Sequence, residues 1–241
     1  MSVDQLFGAN RRSEEGHWIS VADLMAGLMV IFLFIAISYI RPIENTQDTI
    51  RTIAAAWNES EADIHAALED EFRDDFSRWN AELERETLTV RFKAPEVLFD
   101  KATPDLKPKF REILSDFFPR YLRVLEGFRE AIEEVRVEGH TSSIWEGAIS
   151  AEDAYFKNME LSQARTRSVL EFGLQLPASE PFREWASRHL TATGLSSSRP
   201  ILNGGVEDRA RSRRVEFRVR TNAKRQVVKI IETLEIPEPP E

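Results

Sequence analysis

The 241-residue chain contains no cysteine, which removes disulfides, thiol nucleophiles and thiolate metal sites and leaves the redox compartment open. Histidine is nearly as scarce. His17, His65, His140 and His189 are the whole complement, and their spacing matches no metal-ligand pattern. There is no P-loop, no GxSxG elbow and no GxGxxG fingerprint, so nucleotide-driven chemistry, the α/β-hydrolase route and dinucleotide cofactors lack their usual signatures. No catalytic residue, metal or cofactor is expected, and the chain reads as a non-enzyme. A surplus of positive charge is missing too. The net charge of −9 and pI near 5.2 argue against a nucleic-acid partner, whose phosphates would be repelled.

What is present is one long apolar run. From Leu24 to Ile40 only Ser38 and Tyr39 interrupt it, and Ile19 to Ile40 is long enough to cross roughly 30 Å of hydrocarbon. The run exceeds a signal-peptide core and is followed by Arg41-Pro42 with no small-x-small cleavage site, so a retained single-pass anchor is expected. Arg11 and Arg12 before it and Arg41 and Arg51 after it leave its orientation weakly determined. The expected organisation is a tail over 1–17, a transmembrane helix over 18–41, a helical connector over 42–86, a compact domain over 87–222 and a C-terminal tail over 223–241.

Asp23 lies about one turn inside this span. A carboxylate there costs on the order of 2.5–3.5 kcal/mol if central and less near an end. Two readings stand side by side. Asp23 either snorkels to the interface beside the positive helix N-terminus, or a second helix packs on the small patch Ala22, Ala26 and Gly27 and takes it out of lipid. In the second case the acid can bind and release a proton or a small cation, which is the chemistry of an ion relay.

Between Pro42 and Glu86 the apolar positions Ile50, Ile53, Trp57, Ile64, Leu68, Phe72, Phe76, Trp79 and Leu83 recur at helical spacing. They suit either a helix packed on its own domain or a coiled-coil stalk, and a stalk implies a dimer. From Leu88 the texture changes. Segments 88–92, 135–138 and 215–220 alternate as half-buried strands do. Helical runs are expected over 107–128, 159–176 and 182–192, with Gly194 as a helix stop. The prolines 237, 239 and 240 exclude regular structure at the end of the chain. The fold class is α+β, with helices on one face of a mixed sheet.

Five motifs in order carry a resemblance. Val97-Leu-Phe-Asp-Lys-Ala-Thr-Pro104 with Asp105-Leu-Lys-Pro108, then Val137-Glu-Gly-His-Thr141, Asn158-Met-Glu-Leu161-Ser-Gln-Ala-Arg165, Gly194 to Ile201, and Arg213-Arg214-Val-Glu-Phe217 are similar to the signature segments of the OmpA-like peptidoglycan-binding domain. An early membrane aspartate followed by that domain resembles the MotB class of stator subunits. Its helix Trp18-Ile-Ser-Val-Ala-Asp23-Leu-Met is similar to the ZorB branch, the MotB-like subunits of Zorya anti-phage defence systems.

The resemblance implies a peptidoglycan-anchored stator subunit of an inner-membrane ion-driven motor, with Asp23 relaying the ion. It implies a homodimer surrounded by MotA/ZorA-like multi-span subunits, with a cytoplasmic N-terminus and a periplasmic C-terminal domain. A passive membrane-to-wall tether and a flagellar stator are the alternatives. The resemblance also implies a peptidoglycan site at Thr141, Asn158, Leu161, Arg165 and Arg214, in which an aspartate and an arginine clamp the stem peptide. The aspartate position reads Ser142 here, with Glu146, Glu152 or Asp153 as candidate replacements. Taken by itself, Arg165 would more ordinarily be a surface helix arginine in a local ion pair.

Overall fold

The computed structural model describes residues 4–93, 98–100 and 102–222, with side chains given for Trp18, for 21–37 and from Ser60 onward. The tail over 223–241, the side chains of Ile50, Ile53 and Trp57, and Val97 and Lys101 of the first motif lie outside this description. The chain divides into two units, one built on the first 55 residues and the other beginning at Ala56. Helix α1 (Asp4–Trp79) runs through that boundary. In the first unit every described side chain is exposed, from Trp18 through Leu24, Met29 and Phe34 to Ile37. Among the described residues no helix is long and apolar enough to cross a membrane. Of the expected span 18–41, the side chains of Ile19, Ser20 and 38–41 fall outside the description.

In the second unit Ile64, Leu68, Phe72 and Trp79 form one stripe of α1 and are buried in the same core as the sheet. This stretch of the expected connector is therefore a helix of the domain, one of the two readings its periodicity allowed. Asn80 stops it by adopting the left-handed conformation (φ 51°), which asparagine tolerates and a helix cannot continue through. Leu83, expected to extend the helical seam, lies in β1 (Ala81–Glu84), which hairpins onto β2 (Thr89–Phe92).

The chain continues through α2 (Pro108–Glu126), β3 (Ile132–His140), α3 (Ala151–Gln175), a 3-10 segment (Pro177–Phe182), α4 (Arg183–His189) and β4 (Leu190–Gly194). A small hairpin of β5 (Leu202–Asn203) and β6 (Val206–Glu207), the short α5 (Arg209–Ser212) and β7 (Arg214–Thr221) complete it. The sheet order is β1-β2-β7-β3-β4. Only β3–β4 is parallel, so the sheet is mixed and the fold is α+β.

Two boundaries differ from those expected. α3 begins at Ala151 rather than near 159, because Ser150 caps it: its Oγ accepts from the Asp153 N–H at 3.1 Å, while Asp153 Oδ2 accepts from the Ile149 N–H at 3.0 Å. The helix expected over 182–192 stops at His189, and Gly194 ends a strand rather than a helix. The glycine is required by packing. A Cβ at Gly194 would fall on the backbone nitrogen of Gln163, and one at Gly139 would lie 2.8 Å from the Ser162 carbonyl oxygen.

Alternation sorts the strands into two faces. Val90, Phe92, Val135, Val137, Val215, Phe217 and Val219 meet the helices in a buried core. Phe117 of α2 sits at its centre, with ring centroids 5.1 Å from Phe72, 5.1 Å from Phe92, 4.9 Å from Tyr121 and 5.0 Å from Phe217. The opposite face is charged yet partly buried. Glu216 Oε1 accepts from Arg91 Nε and Arg214 Nε, each at 2.6 Å. Burial alone would push the Glu216 carboxyl up, but His140 and the Arg214 guanidinium outweigh it and hold the carboxyl well below the usual range.

Two outcomes are expected. Gly194→Ala should lower stability by about 1–3 kcal/mol, read as a fall in thermal midpoint, because helix backbone has to move. Glu216 has a depressed folded-state pKa, so its contribution is complete above the unfolded-chain value of about 4.3 and fades as pH falls towards the folded value. Glu216→Gln should cost on the order of 3 kcal/mol at pH 7 by leaving the buried Arg214 without a carboxylate partner, while Arg91 keeps Glu82 and Glu84. Denaturant titrations between pH 3 and 7 should show that the cost shrinks on acidification.

Candidate functional site

The close approach of α3 to β3 and β4 brings the third motif of the sequence against the second. Thr141 and Ser142 follow the end of β3, while Asn158, Leu161 and Arg165 lie along the facing side of α3. Together with Phe99, Asp100, Lys107, Trp145, Glu146 and Arg213 they line a cavity of about 530 Å³. Four of the expected site residues, Thr141, Asn158, Leu161 and Arg165, thus share one cavity. Arg214 does not line it. That side chain is buried on the charged sheet face, tied to Glu216 and to the carbonyls of Ser212 and Arg199, and its neighbour Arg213 reaches the cavity instead.

Arg165 makes no ion pair among the described residues. Its Nε donates to the Thr103 carbonyl at 2.9 Å and an Nη to the Asp100 carbonyl at 3.1 Å, and its guanidinium lies 4.7 Å from the centre of the Phe99 ring. The side chain is half-buried. Burial first, and then the nearby Arg213 charge, bring its pKa down to about 10, so it is still a cation at neutral pH. Its surroundings are carbonyl dipoles and a ring face, which orient the fork without neutralising it. Such a group is built to receive an anion.

The rest of the rim is fixed by groups without an obvious sequence signature. Ser196, in the left-handed conformation (φ 51°), donates its N–H to Ser162 Oγ at 3.1 Å and its hydroxyl to the Tyr155 carbonyl at 2.7 Å. Its own carbonyl accepts from the Thr141 N–H at 2.9 Å. One residue therefore locks the strand end carrying Thr141 to α3. The loop after Thr141 is held at Ser143, whose N–H and hydroxyl both donate to the Glu207 carboxylate of β6, and at Asn158, whose amide donates to the Ile144 carbonyl at 3.4 Å. Of the three acids considered as replacements at Ser142, Glu146 lines the cavity and Glu152 does not. Asp153 is committed to the helix cap and to Lys157 at 2.8 Å.

A second cluster has the residue types of a metal site. Ligand atoms of Glu138, His140 and Glu216 lie within 4.8 Å of one another and are buried. The charge balance opposes a cation. Arg91 and Arg214 already bind Glu216, while Arg199 and Arg218 stand 3.5 and 3.8 Å from Glu138 Oε2. Four guanidiniums around two carboxylates leave no negative charge for a metal ion to neutralise.

Asp23, the remaining expected site residue, belongs to the first unit. Its side chain is exposed on α1 among exposed apolar neighbours, and a Cβ at Gly27, one turn on, would meet nothing within 4 Å.

No family profile matches the chain. It is 45% identical over 234 residues, 95% of its own length and 100% of the relative's, to the Zorya protein ZorB of Escherichia coli. In structure it is similar to a putative MotB-like protein from Desulfovibrio vulgaris (27% identity, TM-score 0.49, covering 68% of this chain and 93% of that one). It is likewise similar to the periplasmic domain of Helicobacter pylori MotB (16% identity, TM-score 0.45, covering 65% and 92%). Agreement at that identity from end to end with the Escherichia coli protein decides the assignment: the chain belongs to the ZorB family.

Proposed function

We propose that this protein is the peptidoglycan-anchored, stator-like subunit of an ion-driven inner-membrane complex serving phage defence. In this reading the segment 18–41 spans the membrane, Asp23 relays the ion between helices contributed by MotA/ZorA-like partners and a second copy of the chain, and the cavity on α3 holds the wall in the periplasm. The observation that carries it is Arg165: an oriented cation with no acidic partner among the described residues, in a cavity lined by the residues that the OmpA-like motifs mark. A peptidoglycan stem peptide supplies a carboxylate for the guanidinium, which is paired with neither Asp100 nor Glu146 of the same lining, and an aliphatic stretch for Phe99, Leu161 and Trp145. Support for the membrane half is the apolar run itself and the family to which the chain belongs. The exposed stripe around Asp23 is apolar apart from the acid and carries small residues on which a partner helix can pack closely.

Two experiments test the two halves separately. The full chain in detergent should sediment with purified sacculi, and Arg165→Ala should weaken that binding by about 1.5–3 kcal/mol. Arg165→Lys should recover only part of it, because a point charge lacks the planar fork. Equal sedimentation of the Ala variant would remove the wall site from this cavity. In cells, Asp23→Asn should reach the membrane and assemble at normal levels, since amide and acid are nearly the same size, while protection against phage is lost. Full protection by the Asn variant would leave Asp23 without an ionic role and the protein as a passive tether.

A further inference from the structure

Asn203 is followed by Gly204, and no other asparagine in the chain precedes a glycine. The pair lies at the tip of the β5–β6 hairpin, where Gly204 (φ 60°) and Gly205 (φ 84°) make a two-residue turn that needs left-handed backbone at both places. Little holds this tip. The hairpin is a two-stranded sheet of its own, Leu202 to Val206 are all exposed, and such a ribbon is at best marginally stable by itself. Among the described residues neither the Asn203 amide nor the Gly204 N–H has a hydrogen-bond partner, and glycine has no side chain to shield that nitrogen. The base of the hairpin is tied more firmly. There the Asp208 N–H donates to the Ile201 carbonyl at 2.8 Å, and the Glu207 carboxylate accepts from both the N–H and the hydroxyl of Ser143. Ser143 begins the loop that carries Trp145 and Glu146 to the cavity.

We propose that Asn203 is a modification site, converting spontaneously to aspartate and isoaspartate, and that the isoaspartate form unfastens the loop after β3. Asparagine is among the thermally labile side chains. The Gly204 nitrogen loses its proton and bonds to Cγ of Asn203, while the Cγ–Nδ2 bond breaks and Nδ2 takes up a proton and leaves as ammonia. Water then opens the five-membered imide. Attack at Cγ gives aspartate, whereas attack at the main-chain carbonyl carbon gives isoaspartate, whose backbone runs through Cβ and is one atom longer. A chain lengthened at this point cannot keep residue 203 in register with Val206. Glu207, the next residue, then loses the strand that positions it, and Ser143 loses both of its bonds to that carboxylate. None of these steps depends on what the cavity binds.

The full chain in detergent, aged in warm and mildly alkaline buffer, tests this by peptide mapping. The peptide containing Asn203 should gain the mass of an amide-to-acid exchange and accept methyl groups from an isoaspartyl carboxyl methyltransferase. Asn80 and Asn222, each followed by alanine, should lag well behind. Asn203→Gln, which cannot close a five-membered ring, should lose both signals. In the aged protein the amides over 143–149 should exchange with solvent about tenfold faster, the loss expected for bonds to a charged acceptor. Fresh Glu207→Ala should reproduce that acceleration, and aged Asn203→Gln should exchange as fresh protein does. An unaltered Asn203 after ageing overturns the site. Unchanged exchange over 143–149, in the modified protein or in Glu207→Ala, overturns its hold on the loop.

Discussion

The contact on which the second unit depends is the approach of α3 to two glycines, Gly139 at the end of β3 and Gly194 at the end of β4. With no Cβ at either place, the helix backbone lies directly on the strand ends. This close approach sets the register between strand and helix, so that Thr141 and Ser142 arrive beside Asn158, Leu161 and Arg165. Any larger residue at either position would lift the helix and open the cavity. Ser196 secures the arrangement with hydrogen bonds to both elements, and the aromatic cluster around Phe117 clamps α1 and α2 over the other half of the sheet.

The two faces of the sheet solve different problems. One is an apolar and aromatic core of ordinary kind. The other carries arginines and glutamates in cross-strand register, Arg91 opposite Glu216, Glu138 opposite Glu216, and Glu134 opposite Arg220. Two like-charged glutamates directly opposite each other would be destabilising by themselves. Here Arg91, Arg199, Arg214 and Arg218 surround them, and the same excess of guanidinium that makes the pair tolerable closes it to metal ions.

Much of this fold was legible in the chain. β2, β3 and β7 alternate apolar and polar residues over most of their length, and α2 is announced by Pro108 and a strong apolar stripe. β1 was hidden because Leu83 falls four residues after Trp79 and so continues a helical period; only the left-handed Asn80 breaks it, and that is a conformation rather than a composition. β4 was hidden because Leu190-Thr-Ala-Thr-Gly194 has one strongly apolar residue and gains its stability from parallel pairing with β3. The early start of α3 was written in Ser150-Ala-Glu-Asp153, a capping box that could have been read. In the site, the motif resemblance located Thr141, Asn158, Leu161 and Arg165. It also named Arg214, whose side chain is tied to Glu216 on the charged sheet face, whereas Arg213, the residue just before β7 begins, lines the cavity. Ser196 and Glu207 have no local signal, because their roles exist only once distant segments meet.

The nearness of the Arg213 charge to Arg165 also bears on stability. Like charges lining one cavity repel, and an anion bound there relieves that repulsion while adding its own contacts. A ligand that favours only the folded chain stabilises it by mass action, by about 2.7 kcal/mol at a hundredfold excess over its dissociation constant. In the proposed wall-anchoring role, resistance of this domain to heat and to proteases becomes a gauge of its attachment, and a copy that loses its hold becomes easier to clear.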